Sequence, residues 1–166
     1  RFTARRPLVY TTQTVTNLMD DIGAKDCIEG DISVRVRASF DNTEKELHSA
    51  GDHVVELTVT NAVNDKETLK IPVRVTEESP RSDQIPLTDY LIYLDKGSGF
   101  DPRSFLTEEA TMAIYGDEED HGRDWTDPLE IISTVDTSKA GVYTADYNLI
   151  RNEQITASTR LIVVIV

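Results

Sequence analysis

The chain has 166 residues, a formal net charge of −13 and one cysteine, Cys27. That charge repels phosphate backbones and anionic lipid surfaces, which argues against nucleic acid and peripheral membrane as partners, and a single thiol excludes an intrachain disulfide. Strand-favouring Val, Ile, Thr and Tyr are plentiful while apolar spacings of three and four are scarce, so an all-β fold is predicted. A small β-sandwich needs about 100 residues or somewhat fewer, so two fit as well as one large domain.

The chain begins on Arg1 with no apolar leader and holds no apolar run of membrane-crossing length, so it reads as a piece of a longer polypeptide with no membrane insertion of its own. The first local signal is Glu29-Gly30-Asp31, ahead of a strand predicted over 32–38, where Arg35 and Arg37 alternate with Val34 and Val36 and mark a solvent face. After Ala50-Gly51, His53, Val55, Leu57 and Val59 fall on one face and Val54, Glu56, Thr58 and Thr60 on the other, the pattern of a half-buried strand. Leu69, Ile71, Val73 and Val75 line the next strand, with Lys70, Pro72 and Arg74 outward. The polar stretch 77–84 contains Pro80 and no apolar residue, and reads as a linker dividing the chain into 1–79 and 80–166.

Beyond it, the run from Gly97 to Pro102 reads as a turn, because glycine permits turn dihedrals and Pro102 stops ladder pairing. Only 103–115 can hold a helical turn. A strand is predicted over 129–135, and after Ala140-Gly141 the residues Tyr143, Ala145, Tyr147 and Leu149 share one face. The last strand places Thr159, Leu161, Val163 and Ile165 in phase, and its other face is apolar too, with Ile162 and Val164. A strand apolar on both faces needs cover, so Ile162 and Val164 are expected to pack against a loop, a following domain or a symmetry mate.

These elements repeat. Ala50-Gly51 recurs as Ala140-Gly141, an offset of 90 residues, and the same offset carries Leu69, Ile71, Val73 and Val75 onto Thr159, Leu161, Val163 and Ile165 without an insertion. One inserted residue would turn every side chain to the opposite face, so a shared phase over two strands points to duplication. His53 takes the position that Tyr143 holds in the second copy. Upstream, Glu29-Gly30-Asp31 matches His121-Gly122-Arg123 at an offset of 92.

At these residues the chain resembles the bacterial Ig-like repeats found in tandem on secreted and cell-wall-anchored proteins of Gram-positive bacteria. The resemblance rests on an acidic residue and glycine before a strand (26–32 and 120–125), on Val135-Asp136-Thr137-Ser138-Lys139-Ala140-Gly141-Val142-Tyr143-Thr144, and on the final strand 159–164. It departs at 61–65 and 151–153, where the family commonly carries an Asp-x-x-Gly-Asn hairpin. The resemblance implies two tandem immunoglobulin-like β-sandwich domains, 1–79 and 80–166, outside the cell. It further implies spacers, stalks or adhesion modules whose partners are neighbouring domains of the same polypeptide.

Binding chemistry concentrates in one acidic segment. Asp117, Glu119, Asp120 and Asp124 are candidate Ca²⁺ ligands, because a hard cation takes six to eight oxygens, although the alternating Asp-x-Asp-x-Asp-Gly spacing is missing and a solvated acidic loop is the competing reading. Asp20, Asp21, Asp26, Glu29 and Asp31 form a weaker counterpart. Trp125 beside Asp120 and His121 offers an indole that stacks on a sugar ring, against the competing reading of core packing at a strand start. The alternative function is therefore a ligand-binding module that recognises a glycan or host protein with help from calcium.

Catalysis is not expected. A glycosidase sets two carboxylates about 5 to 10 Å apart across a cleft, and no cleft-forming insertion is visible. Cys27, His48 and His53 lack Cys-x-x-Cys or His-Glu-x-x-His spacing, which leaves Cys27 as a buried or edge thiol. Lys70 and Lys139 fall on outward or loop positions, so no isopeptide crosslink is expected.

Overall fold

The computed structural model describes residues 1–13, 18–40, 49–116 and 126–166. It is mostly β, with three sheets among those residues. The first half contains β1 (Phe2–Ala4), β2 (Val9–Thr11), a short helix α1 (Leu18–Asp21), β3 (Ile22–Asp26), β4 (Gly30–Asp31), β5 (Arg37–Phe40), β6 (Gly51–Thr60) and β7 (Lys66–Thr76). The second half contains β8 (Leu91–Leu94), helix α2 (Glu108–Tyr115), β9 (Leu129–Ser133), β10 (Gly141–Arg151) and β11 (Gln154–Ile165).

Each half is built on a four-stranded sheet of the same design, β2-β7-β6-β5 in one and β8-β11-β10-β9 in the other. In both, an early strand runs parallel to the last strand, and the remaining pairs are antiparallel. The repeat holds at the level of single residue pairs: Gly51 faces Val75, and ninety residues on Gly141 faces Ile165. This register persists to Leu149, where a bulge before Ile150 slips it by one residue. The slip accompanies a change of turn, because five residues separate Thr60 from Lys66 whereas Asn152 and Glu153 alone join Arg151 to Gln154. Asn152 and Glu153 both have positive φ, 52° and 64°, as a tight two-residue hairpin turn requires. Ala38 faces Leu57 and Ile131 faces Tyr147, so the third strand is offset by 93 residues in place of the expected 92.

The halves differ in the layer laid over that sheet. In the first, β1-β3-β4 forms a second sheet, and Phe2, Ile22 and Ala24 share a core with Val55, Leu57, Ile71 and Val73. In the second, no other sheet covers β8-β11-β10-β9 among the described residues, and the cover includes α2 and the 3₁₀ turn Pro102–Phe105. The expected second sandwich is thus met in its four-stranded sheet and differs in the opposing layer. The helix forms because Thr107 caps it, accepting from the Ala110 amide, and because Ala110 and Ile114, four apart, turn one face into the core.

Two local expectations are corrected. The segment 32–36 is not a strand: Asp31 accepts from the Ser33 amide at 2.9 Å, and residues Ser33–Arg35 coil into a 3₁₀ turn before β5 begins at Arg37. A short side chain that satisfies a backbone N–H competes with ladder pairing, which overrides the apparent alternation of Val34 and Val36. Cys27, expected as a buried or edge thiol, is exposed in the turn between β3 and β4.

The last strand is covered, though not by a loop, a following domain or a symmetry mate as expected: the cover is the preceding half. Ile162 and Val164 are buried and, with Leu91, join the first half's core, while Leu161, Val163 and Ile165 face the second. Strand β11 is therefore a wall shared by two cores.

Candidate functional site

The residues proposed for ligand and calcium binding, Asp117, Glu119, Asp120, His121, Asp124 and Trp125, lie outside the described residues. At the edge of that segment, Asp127 accepts from Tyr115 Oη at 2.9 Å, Arg103 Nη2 at 2.6 Å and the Leu129 amide at 2.9 Å, so its carboxylate ties α2 to β9. The counterpart carboxylates are occupied in a similar way. Asp26 accepts from the Ile28 and Glu29 amides and from Asn61, Glu29 accepts from the Ala62 amide and Arg35, and Asp21 accepts from Tyr10 Oη at 2.7 Å. Backbone donors in first place hold Asp26 and Glu29 below the usual carboxylate range, while the Ser33 hydroxyl and then its amide do so for Asp31. These groups clamp the loops at one end of the first half. Among the described residues, no three His, Cys, Asp or Glu side chains are grouped as a metal ion would need.

The most elaborate polar site lies where the halves meet. Asp146 and Arg160 are direct partners on β10 and β11, and Asp52 and Arg74 are direct partners on β6 and β7. The two pairs dock against each other. Arg160 donates through Nε to Asp146 Oδ1 at 2.7 Å and through Nη2 to Asp146 Oδ2 at 3.2 Å, a forked contact. Its Nη1 also reaches Asp52 at 3.0 Å and the Pro72 carbonyl at 3.1 Å, while Arg74 Nη2 returns to Asp146 at 2.9 Å. The Arg160 side chain is only 2% exposed, whereas Asp52 stays 56% exposed, so the network runs from the junction out to solvent. Burial opposes the charge on Arg160, but the hydrogen bonds and charge of Asp146, then Asp52, outweigh it and hold the guanidinium above its ordinary pKa. Every donor group of this buried guanidinium is aimed at an acceptor, an arrangement that is directional while adding little net stability.

Two further contacts close the junction. Ser82 Oγ donates to the Ser158 carbonyl at 2.7 Å and the Ser158 amide to the Pro80 carbonyl at 2.7 Å, so the predicted linker is pinned along β11. On the other side Tyr93 Oη donates to Glu67 at 3.1 Å and accepts from the Phe2 amide at 3.1 Å, with burial pushing this phenol up, beside an open cleft of about 690 Å³ that Lys25, Cys27 and Leu91 also line. Sequence reasoning passed over Asp52, Arg74, Asp146 and Arg160 because each reads as an ordinary outward charge. The doubly apolar face of β11 was the signal that something covers it.

Neither a family model nor a curated protein matches the chain. Two solved structures of the CBM51-2 and INT domains of Clostridium perfringens ZmpB, one of them in complex with GlcNAc, are distantly and partially similar, at 26% identity and TM-scores of 0.37 and 0.36. Each match covers 45% of this chain and 16% of the other, so the chain spans less than a fifth of those proteins' length, and a likeness at this level fixes neither fold nor activity.

Proposed function

We propose that the chain is a non-catalytic spacer of an extracellular bacterial surface protein, secreted or cell-wall-anchored, in which two domains, 1–79 and 80–166, derive from one Ig-like unit and hold neighbouring domains at a fixed distance and angle. The observation that carries this reading is the junction, where Arg160, Asp146, Asp52 and Arg74 interlock beside Ile162 and Val164. Paired domains move relative to one another by default unless a large apolar contact stops them, and a spacer sets position only when its hinge is stopped. The Ig-like origin is supported by the matching sheet orders and by a repeated corner contact: Tyr143 Oη donates to the Lys139 carbonyl at 3.0 Å, and His53 Nε2 lies 2.8 Å from the Ser49 carbonyl, each four residues upstream. A tyrosine hydroxyl bonded to backbone a few residues upstream is a mark of Ig-like sandwiches.

The test is ¹⁵N relaxation on the whole chain. One rotational correlation time should describe amides of β7 and β10 together. Separate tumbling of 1–79 and 80–166 would exclude a spacer that fixes geometry.

A further inference from the structure

The open cleft of about 690 Å³ beside Tyr93 runs along Leu91, Ile92 and Tyr93 of β8. Strand β8 ends its sheet, with β11 on one side and, among the described residues, no strand on the other. The pairing fixes which backbone groups face outward. The Ile162 amide donates to the Tyr90 carbonyl at 3.0 Å and the Val166 amide to the Leu94 carbonyl at 2.9 Å, so the even-numbered residues turn their peptide groups to β11. Peptide groups alternate sides along a strand, so those of Leu91 and Tyr93 turn away from it. Among the described residues no hydrogen bond reaches the N–H or C=O of either. Leu91 is only 5% exposed, which leaves its two polar groups with little water in place of a partner.

The edge also lacks the usual protection. Edge strands β5 and β9 carry Arg37 and Glu130, charges that deter pairing, whereas β8 reads Leu-Ile-Tyr-Leu with no charge, proline or bulge. Its wall is held still, because Tyr93 Oη bonds to Glu67 and to the Phe2 amide, and the Arg1 guanidinium lies over the Tyr93 ring, 5.0 Å from its centroid. Of the other charged groups lining the cleft, Lys25 faces Asp31 across the β3–β4 pair and Asp26 accepts from the Ile28 and Glu29 amides. Asp89 is exposed and, among the described residues, forms no salt bridge. The charge left for a partner is therefore negative, on a molecule whose net charge is −13.

We propose that β8 takes up an extended segment of another protein as an added strand, apolar at alternate positions and basic at its flank. The four peptide groups of Leu91 and Tyr93 supply the ladder, the apolar wall of Phe2, Leu91 and Ile92 receives alternate side chains, and Asp89 meets the basic flank. The net charge steers a basic segment inward and opposes pairing of two copies. This binding mode goes beyond the spacer reading and does not depend on it.

The probe is the capped peptide Lys-Val-Thr-Val-Thr-Val-Lys, titrated into the ¹⁵N-labelled full chain. Saturable shifts and slowed hydrogen exchange are expected at the Leu91 and Tyr93 amides. N-methylation of the three valines should abolish the response, since it removes the donors that a ladder needs. Glutamate in place of both lysines, or Asp89→Lys in the chain, should each weaken binding about fivefold or more. Glu77→Lys, an equal change of net charge past the far end of β7, should leave it within about twofold. Asp89 and Glu77 are both exposed, so neither change threatens the fold. No response at Leu91 and Tyr93, an equal response to the N-methylated or the glutamate peptide, or shifts there that grow with protein concentration alone and so assign the edge to a second copy, would overturn the proposal.

Discussion

Hairpins β6–β7 and β10–β11 are the same object used in two ways. Their inward faces are interchangeable in pattern, with Val55, Leu57, Ile71 and Val73 in one and Ala145, Tyr147, Leu161 and Val163 in the other, all buried. Their outward faces diverge at matched positions. Lys70 is exposed and Pro72 and Arg74 are half-buried, whereas Arg160, Ile162 and Val164 stand at 2%, 0% and 5% exposure. The inward face sets the fold of a hairpin, and the outward face decides how deeply it is enclosed at the junction, where Arg74 and Asp52 meet Asp146 and Arg160. Three matched outward side chains thus separate a hairpin that only borders the junction from one that is enclosed by it.

The sharpest way to break that comparison is at Arg160 and its matched position Lys70. Arg160→Ala leaves the buried Asp146 with Arg74 alone in place of its forked partner, and since removal of one member of a buried pair costs about 3–5 kcal/mol when the charge is left uncompensated, the loss should sit near the lower end of that range. Lys70→Ala at the exposed position should fall within about 0.5 kcal/mol of the parent. Urea unfolding reads both. Replacing the pair together, Arg160→Met with Asp146→Leu, should recover most of the loss, because well-packed apolar residues substitute for buried ion pairs at little net cost. Equal losses at 70 and 160 would mean that the two outward faces are equivalent after all.

A somewhat smaller effect sharpens the claim that β11 is a shared wall. Ile162 is fully buried in the core of the first half although it belongs to the last strand of the second. Ile162→Ala should cost about 2–5 kcal/mol through the lost methylenes and the cavity they leave. If the halves open as one unit, native-state hydrogen exchange on β7 and on β11 should accelerate by the same factor. Acceleration confined to β11 would assign Ile162 to the second core alone.

Much of this arrangement is legible in the sequence, and what is missing has physical reasons. The four long strands announce themselves through period-two alternation behind Gly51 and Gly141, and their phase fixes the register up to Leu149. The bulge before Ile150 does not announce itself, because it follows from turn length and not from the apolar pattern. The sheet β1-β3-β4 is built from strands of two to five residues, too short for any period to show. Val34 and Val36 mimic a strand, and only the local bond from the Ser33 amide to Asp31 reveals the turn. The acidic segment with Asp120 and Trp125 falls among residues 117–125, outside those described.

The smallest effect tests the deepest part of the comparison, the shared ancestry of the two corners. Tyr143→Phe removes a hydroxyl that donates to the Lys139 carbonyl at 3.0 Å. That bond is exposed and water can replace the donor, so the cost should sit near the lower end of about 0.5–1.5 kcal/mol. At the matched position His53 already reaches the Ser49 carbonyl four residues upstream, and it faces Val73 as Tyr143 faces Val163. His53→Tyr therefore transplants the second copy's corner into the first, and should leave stability within about 0.5 kcal/mol of the parent if the two backbones present the same geometry. A loss well beyond that range would show that the corners only look alike, and that the imidazole occupies space in the first half that a phenol ring cannot.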